Sequence, residues 1–169
     1  MYAATKLAGE AYMEAFAGAG GPEYLALRIG PIYGPGVSPG SNGAMMLDLL
    51  EALDRGERPS VAWTQDSVHS FVYIDDVARA VVASLDAPRS RLAVNVVGAP
   101  VTTKAICETT ARLYGRDPSA IDYRGERTRY QRVSQTLMGE VLGFLPDVDV
   151  DEGARRLIAW HRAKSALAG

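Results

Sequence analysis

The chain has 169 residues, 47% hydrophobic and 22% charged, the balance of one globular domain rather than a disordered segment. Eighteen Lys and Arg against 20 Asp and Glu leave a net charge of −2, so neither nucleic acid nor an anionic membrane surface is an expected partner. The single cysteine, Cys107, excludes an internal disulfide, and no CxxC or His/Cys cluster offers a metal site, which points to a reducing, cytoplasmic setting. Met1 to Lys6 lacks a basic region followed by an apolar run, and no stretch approaches the roughly 20 apolar residues of a bilayer span, so secretion and membrane insertion are not expected.

Along the chain, Leu7, Ala11, Met13 and Phe16 form an apolar stripe that predicts a helix from Ala3 to Ala17, ended by Gly18, Gly20, Gly21 and Pro22. Tyr24 to Ile29, apolar except for Arg28, reads as a strand buried on both faces of a parallel sheet. Residues 30–43 hold eight Gly or Pro in 14 positions and read as a long, functional loop. Ser41 or Asn42 is the expected cap of a helix carrying Met45, Met46, Leu49, Leu50 and Leu53. Val61 to Trp63 and Ser70 to Ile74 are short strand candidates, and Asp75 and Asp76 suit the positive end of a helix through Leu85. Ala93 to Val97 reads as a strand, Thr102 or Thr103 caps a helix through Tyr114, and further helices are expected at 135–142 and 151–166. Strands alternating with helices indicate an α/β fold in a single domain, 1–169.

Tyr2 and Lys6 form a Y-x-x-x-K pair whose four-residue spacing places phenol and ammonium on one helix face. A nearby ammonium stabilises phenolate and so eases proton transfer at neutral pH. Glu10 follows four residues later, then Leu27-Arg28-Ile29-Gly30-Pro31-Ile32-Tyr33-Gly34-Pro35-Gly36 and Phe71-Val72-Tyr73-Ile74-Asp75-Asp76-Val77-Ala78-Arg79-Ala80. Leu142-Gly143-Phe144-Leu145-Pro146, Asp151-Glu152-Gly153 and Trp160 close the series. In order and spacing these segments resemble the extended short-chain dehydrogenase/reductase family, which includes the NAD-dependent epimerases and dehydratases of nucleotide sugars. The resemblance covers nearly the whole chain but only the second half of a family member. It implies a truncated remnant of that fold, few strands with flanking helices, retaining the substrate-binding part.

Two departures concern the substrate. Pro31 stands where many sugar-nucleotide members carry Asn, and His69 and Ser70 stand where they carry a phosphate-contacting Arg. The family's glycine-rich turn, G-x-x-G-x-x-G between a first strand and helix, does not occur: Gly18, Gly20 and Gly21 follow a helix, the reverse context. No cofactor is therefore expected on the isolated chain, with NAD or NADP entering only in a completed assembly, and no metal is expected.

The candidate site is Tyr2 and Lys6 as the catalytic pair, with Tyr33, His69 and the cluster Arg124, Arg127, Arg129 and Arg132 bordering a small-molecule substrate, the arginines suiting a phosphate or carboxylate. Beside this stand plainer readings. Tyr2 and Lys6 are idle inherited residues on a fraying end, Tyr33 packs the core, His69 is structural, Asp75 and Asp76 cap a helix, and the arginine loop is merely solvated. His161 is expected on an exposed polar face.

Three functions fit these residues. The chain is a stand-alone, redox-neutral isomerase, lyase or cyclase; or half of a split NAD-dependent epimerase/dehydratase completed by a Rossmann-half partner; or a non-catalytic binding or assembly module. Met1 immediately before Tyr2 favours a genuine short reading frame. A homodimer is expected if no partner half covers the strand at Tyr24 to Ile29.

Overall fold

Four pairs of short strands, set among six helices, make up the computed structural model, in which residues 1–168 are described. The chain opens with α1 (Tyr2–Gly18), then β1 (Leu25–Ile29) and β2 (Ile32–Tyr33). After α2 (Met45–Asp54) come β3 (Ser60–Val61), β4 (Val68–His69) and β5 (Val72–Tyr73), which runs directly into α3 (Ile74–Leu85). The second half holds β6 (Leu92–Val96), β7 (Val101–Thr102), α4 (Thr103–Tyr114), a 3-10 turn at Pro118–Ala120, β8 (Asp122–Tyr123), α5 (Thr136–Leu142) and α6 (Val150–Ala168).

The longest pairing is parallel, β1 on β6, in register from Leu25 opposite Leu92 to Ile29 opposite Val96. Two-residue parallel pairs join β2 to β5 and β3 to β8, while β4 and β7 pair antiparallel. The mixed α/β class inferred from the sequence is therefore what forms. Among the described residues no helix is long and apolar enough to cross a membrane.

Local signals explain the best-defined helices. The Thr102 side chain accepts the Ala105 amide at 3.1 Å, an N-cap at the predicted place, and Gly115 ends α4 in the left-handed conformation at φ 82°. In α2 the apolar positions bury Met46, Leu49, Leu50 and Leu53 against α4 and α6, with Ile106 and Leu157 fully covered. On the other side Val77 and Ala80 of α3 and Met138 and Val141 of α5 cover Val94 and Val96 of β6.

Several expectations are corrected. The α1 stripe is not buried: Leu7, Met13 and Phe16 remain exposed, and Ala17 alone in this helix is covered. β1 is half-buried at Leu25 to Leu27 and exposed at Arg28 and Ile29, because only β6 pairs with it and its other edge is open. Neither Ser41 nor Asn42 caps α2; Ala44 occupies that position without a side-chain bond. Of the strand expected at 70–74 only β5, Val72–Tyr73, forms; β4 lies just before it, and Ile74 belongs to α3.

Asp75 and Asp76 lie in the first turn of α3, with Tyr73 at the cap. The wholly buried Asp76 carboxylate accepts from the Val148 amide at 3.3 Å and from Arg79 at 3.0 Å, fastening α3 to the segment before α6. His161 is buried rather than exposed: its Nε2 lies 2.6 Å from Asp54 Oδ2, and the Tyr114 hydroxyl donates to the other oxygen of the same carboxylate. One acid at the end of α2 thereby ties α4 and α6 together, and these two bonds hold its carboxyl below the ordinary carboxylate range.

Candidate active site at the Tyr2 end of helix α1

One turn of α1 separates Tyr2 from Lys6 and brings the Lys6 Nζ 5.3 Å from the centroid of the Tyr2 ring. Both side chains are exposed, Tyr2 at 78%. Tyr2 borders two clefts. One, of about 640 Å³, is floored by the glycine-rich loop and lined by Gly30, Pro31, Tyr33, Gly36, Ser41 and Asn42. The other, of about 870 Å³, separates α1 from β1 and is lined by Lys6, Leu7, Glu10, Met13, Leu27 and Arg28. The first depends on a close backbone crossing, since a Cβ on Gly43 would lie 1.7 Å from the Ile32 carbonyl oxygen.

Ser41 and Asn42 also line a third cleft, of about 300 Å³, with Asp48, Leu49, Ser60 and Trp63. The first and third clefts share these two residues in their linings. The Arg129 guanidinium lies over the Trp63 ring at 5.2 Å. Its loop is pinned: the Arg129 amide donates to Ser67 Oγ at 3.1 Å, its carbonyl accepts from the Val68 amide at 2.7 Å, and Thr64 and Thr128 hydroxyls join at 3.1 Å. Arg124 pairs with Asp122 at 2.7 Å, and Arg127 and Arg132 are exposed on the same loop. From the sequence Ser41 and Asn42 read as helix caps and Trp63 as the end of a short strand. Polar residues inside a Gly/Pro-rich loop, and a Trp followed by Thr-Gln-Asp, are the available signals.

Tyr33 and His69 are placed differently from Tyr2. The Tyr33 ring borders the first cleft, but the residue is only 2% exposed and its hydroxyl donates to the Asp149 carbonyl at 3.1 Å. Burial, with the Asp149 and Asp76 charges adding to it, pushes its phenol far above the ordinary tyrosine value, so it stays protonated at neutral pH. His69 lines neither Tyr2 cleft. Its imidazole is buried between Trp63 at 4.9 Å and Phe71 at 5.1 Å, with Nε2 2.9 Å from Thr103 Oγ1. The Thr103 hydroxyl donates to the Ser67 carbonyl at 3.2 Å, so Nε2 is the donor in that pair. Burial lowers its pKa, keeping the ring neutral.

The residues present do not fit a dinucleotide pyrophosphate. Among the described residues no strand passes through a tight glycine turn into a helix: β5 and β7 enter α3 and α4 directly, and the glycine-rich segment between β2 and α2 is long. Three of the helix starts are already negative, with Asp48 on α2 accepting the Gly40 amide at 3.0 Å, Asp75 and Asp76 on α3, and Asp151 and Glu152 on α6.

The chain is similar to known proteins over nearly its whole length. The chain is 26% identical over 168 residues to UDP-glucose 4-epimerase of Mycolicibacterium smegmatis, covering 97% of this chain and 53% of that protein. It is 24% identical over 171 residues to UDP-glucuronate 4-epimerase of Thermodesulfobacterium geofontis, covering 98% and 51%. It superimposes on the crystal structure of Thermotoga maritima UDP-glucose 4-epimerase with UDP-glucose at a TM-score of 0.84 and 26% identity, over 94% of this chain and 52% of that one. The chain therefore spans about half the length of the curated relatives it matches. The stretch that carries α1, the glycine-rich loop and the β5–α3 junction is the part that a family profile recognises: residues 1–98 belong to the NAD dependent epimerase/dehydratase family.

Proposed function

We propose that this chain is the substrate-side half of an epimerase or dehydratase acting on a nucleotide-linked sugar, with Tyr2 and Lys6 as its acid–base pair. The observation that carries this reading is the position of Tyr2, at the mouth of a cleft floored by the glycine-rich loop, with the Lys6 ammonium beside its ring. In such a site the Tyr2 phenolate takes a proton from a sugar hydroxyl, and the resulting phenol returns one to a carbonyl oxygen; the ammonium stabilises the phenolate before the first event and after the second. The residues lining that cleft are uncharged and suit a sugar ring. Trp63, which lines the neighbouring cleft, carries the Arg129 guanidinium over its ring, and the cations of that loop, Arg129 with Arg124, Arg127 and Arg132, suit phosphates. Tyr33 supports the cleft floor as a buried ring, and His69 holds the Ser67–Thr103 corner against the base of the arginine loop.

The dinucleotide-binding half is supplied by another segment or a separate chain, which covers α1 and the open edge of β1. The coverage of the relatives and the exposed Leu7, Met13 and Phe16 support this. In the isolated chain a second copy covers the same face as a homodimer; a monodisperse monomer in light scattering at micromolar concentration overturns that part. The lone Cys107, which allows no internal disulfide, supports a cytoplasmic setting.

Calorimetry with UDP-glucose, UDP and glucose tests the reading. UDP-glucose and UDP bind the isolated chain, glucose alone does not, and Arg129→Gln weakens both nucleotides. Absence of UDP-glucose and UDP binding by the folded chain refutes the substrate assignment. Turnover by the chain without any dinucleotide would instead establish the stand-alone, redox-neutral enzyme, and full activity of Tyr2→Phe would remove the acid–base role.

A further inference from the structure

We propose that a polar seam, Glu10 with Arg28 and Glu14 with Tyr24 and Arg91, sets the rotation and height of α1 over the sheet and is thereby the positioning device for Tyr2 and Lys6; this rests on the reading of that pair given above.

Tyr2, Lys6, Glu10 and Glu14 follow one another at four-residue steps, so they lie on one slowly turning face within about 120° of arc. The first two belong to the candidate site and the last two reach the sheet. Glu10 Oε1 and Oε2 accept from the Arg28 Nε and Nη2 of β1 at 2.8 and 2.6 Å, a two-pronged geometry that fixes direction as well as distance. Glu14 accepts from the Tyr24 hydroxyl at 2.9 Å and from the Arg91 guanidinium.

Apolar packing does not supply this orientation. Across most of its length α1 faces β1 over the 870 Å³ cleft, and Leu7 and Met13 line that gap while staying exposed. Apolar contacts slide with little directional preference, whereas a fork of two hydrogen bonds does not. The far anchor has an independent mark. Arg91 has a φ of 54°, the only positive value in a residue other than glycine among those described, and its amide donates to the Tyr24 carbonyl at 2.7 Å. A strained backbone of this kind persists where surrounding bonds over-determine it, and here both its amide and its guanidinium are engaged with the Tyr24–Glu14 contact. The neighbouring guanidinium groups also hold the Glu10 and Glu14 carboxyls below their ordinary values, so both are ionised in the seam at neutral pH.

The test uses Glu10→Gln, Arg28→Gln and the exchanged pair Glu10→Arg with Arg28→Glu, all in the full chain. Two readouts need no substrate: amide hydrogen exchange along α1 and the nuclear Overhauser contact between Lys6 Hε and the Tyr2 ring. In each single variant α1 exchange rises about tenfold and the contact fades, while Leu92 to Val96 keep their protection; in the exchanged pair both signals return. With UDP-glucose as probe in the assembled enzyme, the single variants lower kcat with KM held, and the exchanged pair restores kcat. Unchanged α1 exchange and contact in both single variants overturn the proposal, as does their loss without recovery in the exchanged pair. A Tyr2→Phe variant with full turnover refutes the function proposed for the pair, and the substrate-free readouts still judge the seam.

Discussion

Replacing Gly153 with alanine would drive a methyl group into the buried ring of Tyr33. A Cβ at Gly153 lies 2.2 Å from the Tyr33 Oη, 2.5 Å from Cε2 and 2.7 Å from Cζ, so ordinary contact at 3.4 Å requires the ring or the first turn of α6 to move by about 1.2 Å. Neither has room: Tyr33 is 2% exposed, with Tyr73 5.3 Å and Phe71 6.4 Å from its ring centre, and Leu157 in the same cluster is fully buried. Overpacking of this kind costs about 1–3 kcal/mol. Losing the Tyr33 bond to the Asp149 carbonyl adds about 1 kcal/mol. For a chain of this length each kcal/mol lowers Tm by about 2–4 °C. The expected fall, roughly 4–16 °C, is measured by thermal circular dichroism, with urea unfolding giving the free energy. Gly9→Ala is the control: nothing lies within 4 Å of its Cβ, so alanine in α1 is neutral or stabilising. Tyr33→Phe removes the nearest clashing atom, so the double variant loses less than the two single losses combined. A Gly153→Ala protein within about 0.5 kcal/mol of the parent would refute the claim that α6 stands rigidly on this ring.

Tyr2→Phe retains the ring and loses the ionisable oxygen, so turnover by the assembled enzyme falls about 10²- to 10⁴-fold with folding unchanged, and Lys6→Met follows it. Burial raises the Asp76 carboxyl above its ordinary value, with the Val148 amide and Arg79 opposing. The folded state then holds that proton more tightly than the unfolded state. Stability contributed by Asp76 therefore falls as pH rises from about 4 towards the folded value, and Asp76→Asn flattens this part of a stability–pH profile. Glu10 and Glu14 act with the opposite sign: their lowered carboxyls stabilise at neutral pH, and the contribution is lost as pH falls below about 4, read as faster exchange along α1. NAD gives neither calorimetric heat nor thermal stabilisation with the isolated chain, and micromolar affinity would contradict the mismatch at the helix ends.

Much of the secondary structure was legible because its signals are local. Thr102 and Gly115 bracket α4, Gly143 closes α5 in the left-handed region, and the largely apolar runs interrupted by Arg28 and Asn95 became β1 and β6. The Tyr2–Lys6 spacing likewise needed only helix geometry to bring the two groups together. The two-residue strands β2, β4, β7 and β8 carry no period to read, since each exists only through a partner distant in sequence. Amphipathic spacing identified α1 as a helix and misplaced its apolar stripe, because periodicity says which side chains share a face and not whether anything covers that face. His161 and Asp54 are 107 residues apart, and their contact depends on how α2 and α6 cross. The place of Ser41 and Asn42 in the linings of two clefts depends in the same way on a backbone crossing at Gly43 that only the folded chain brings about.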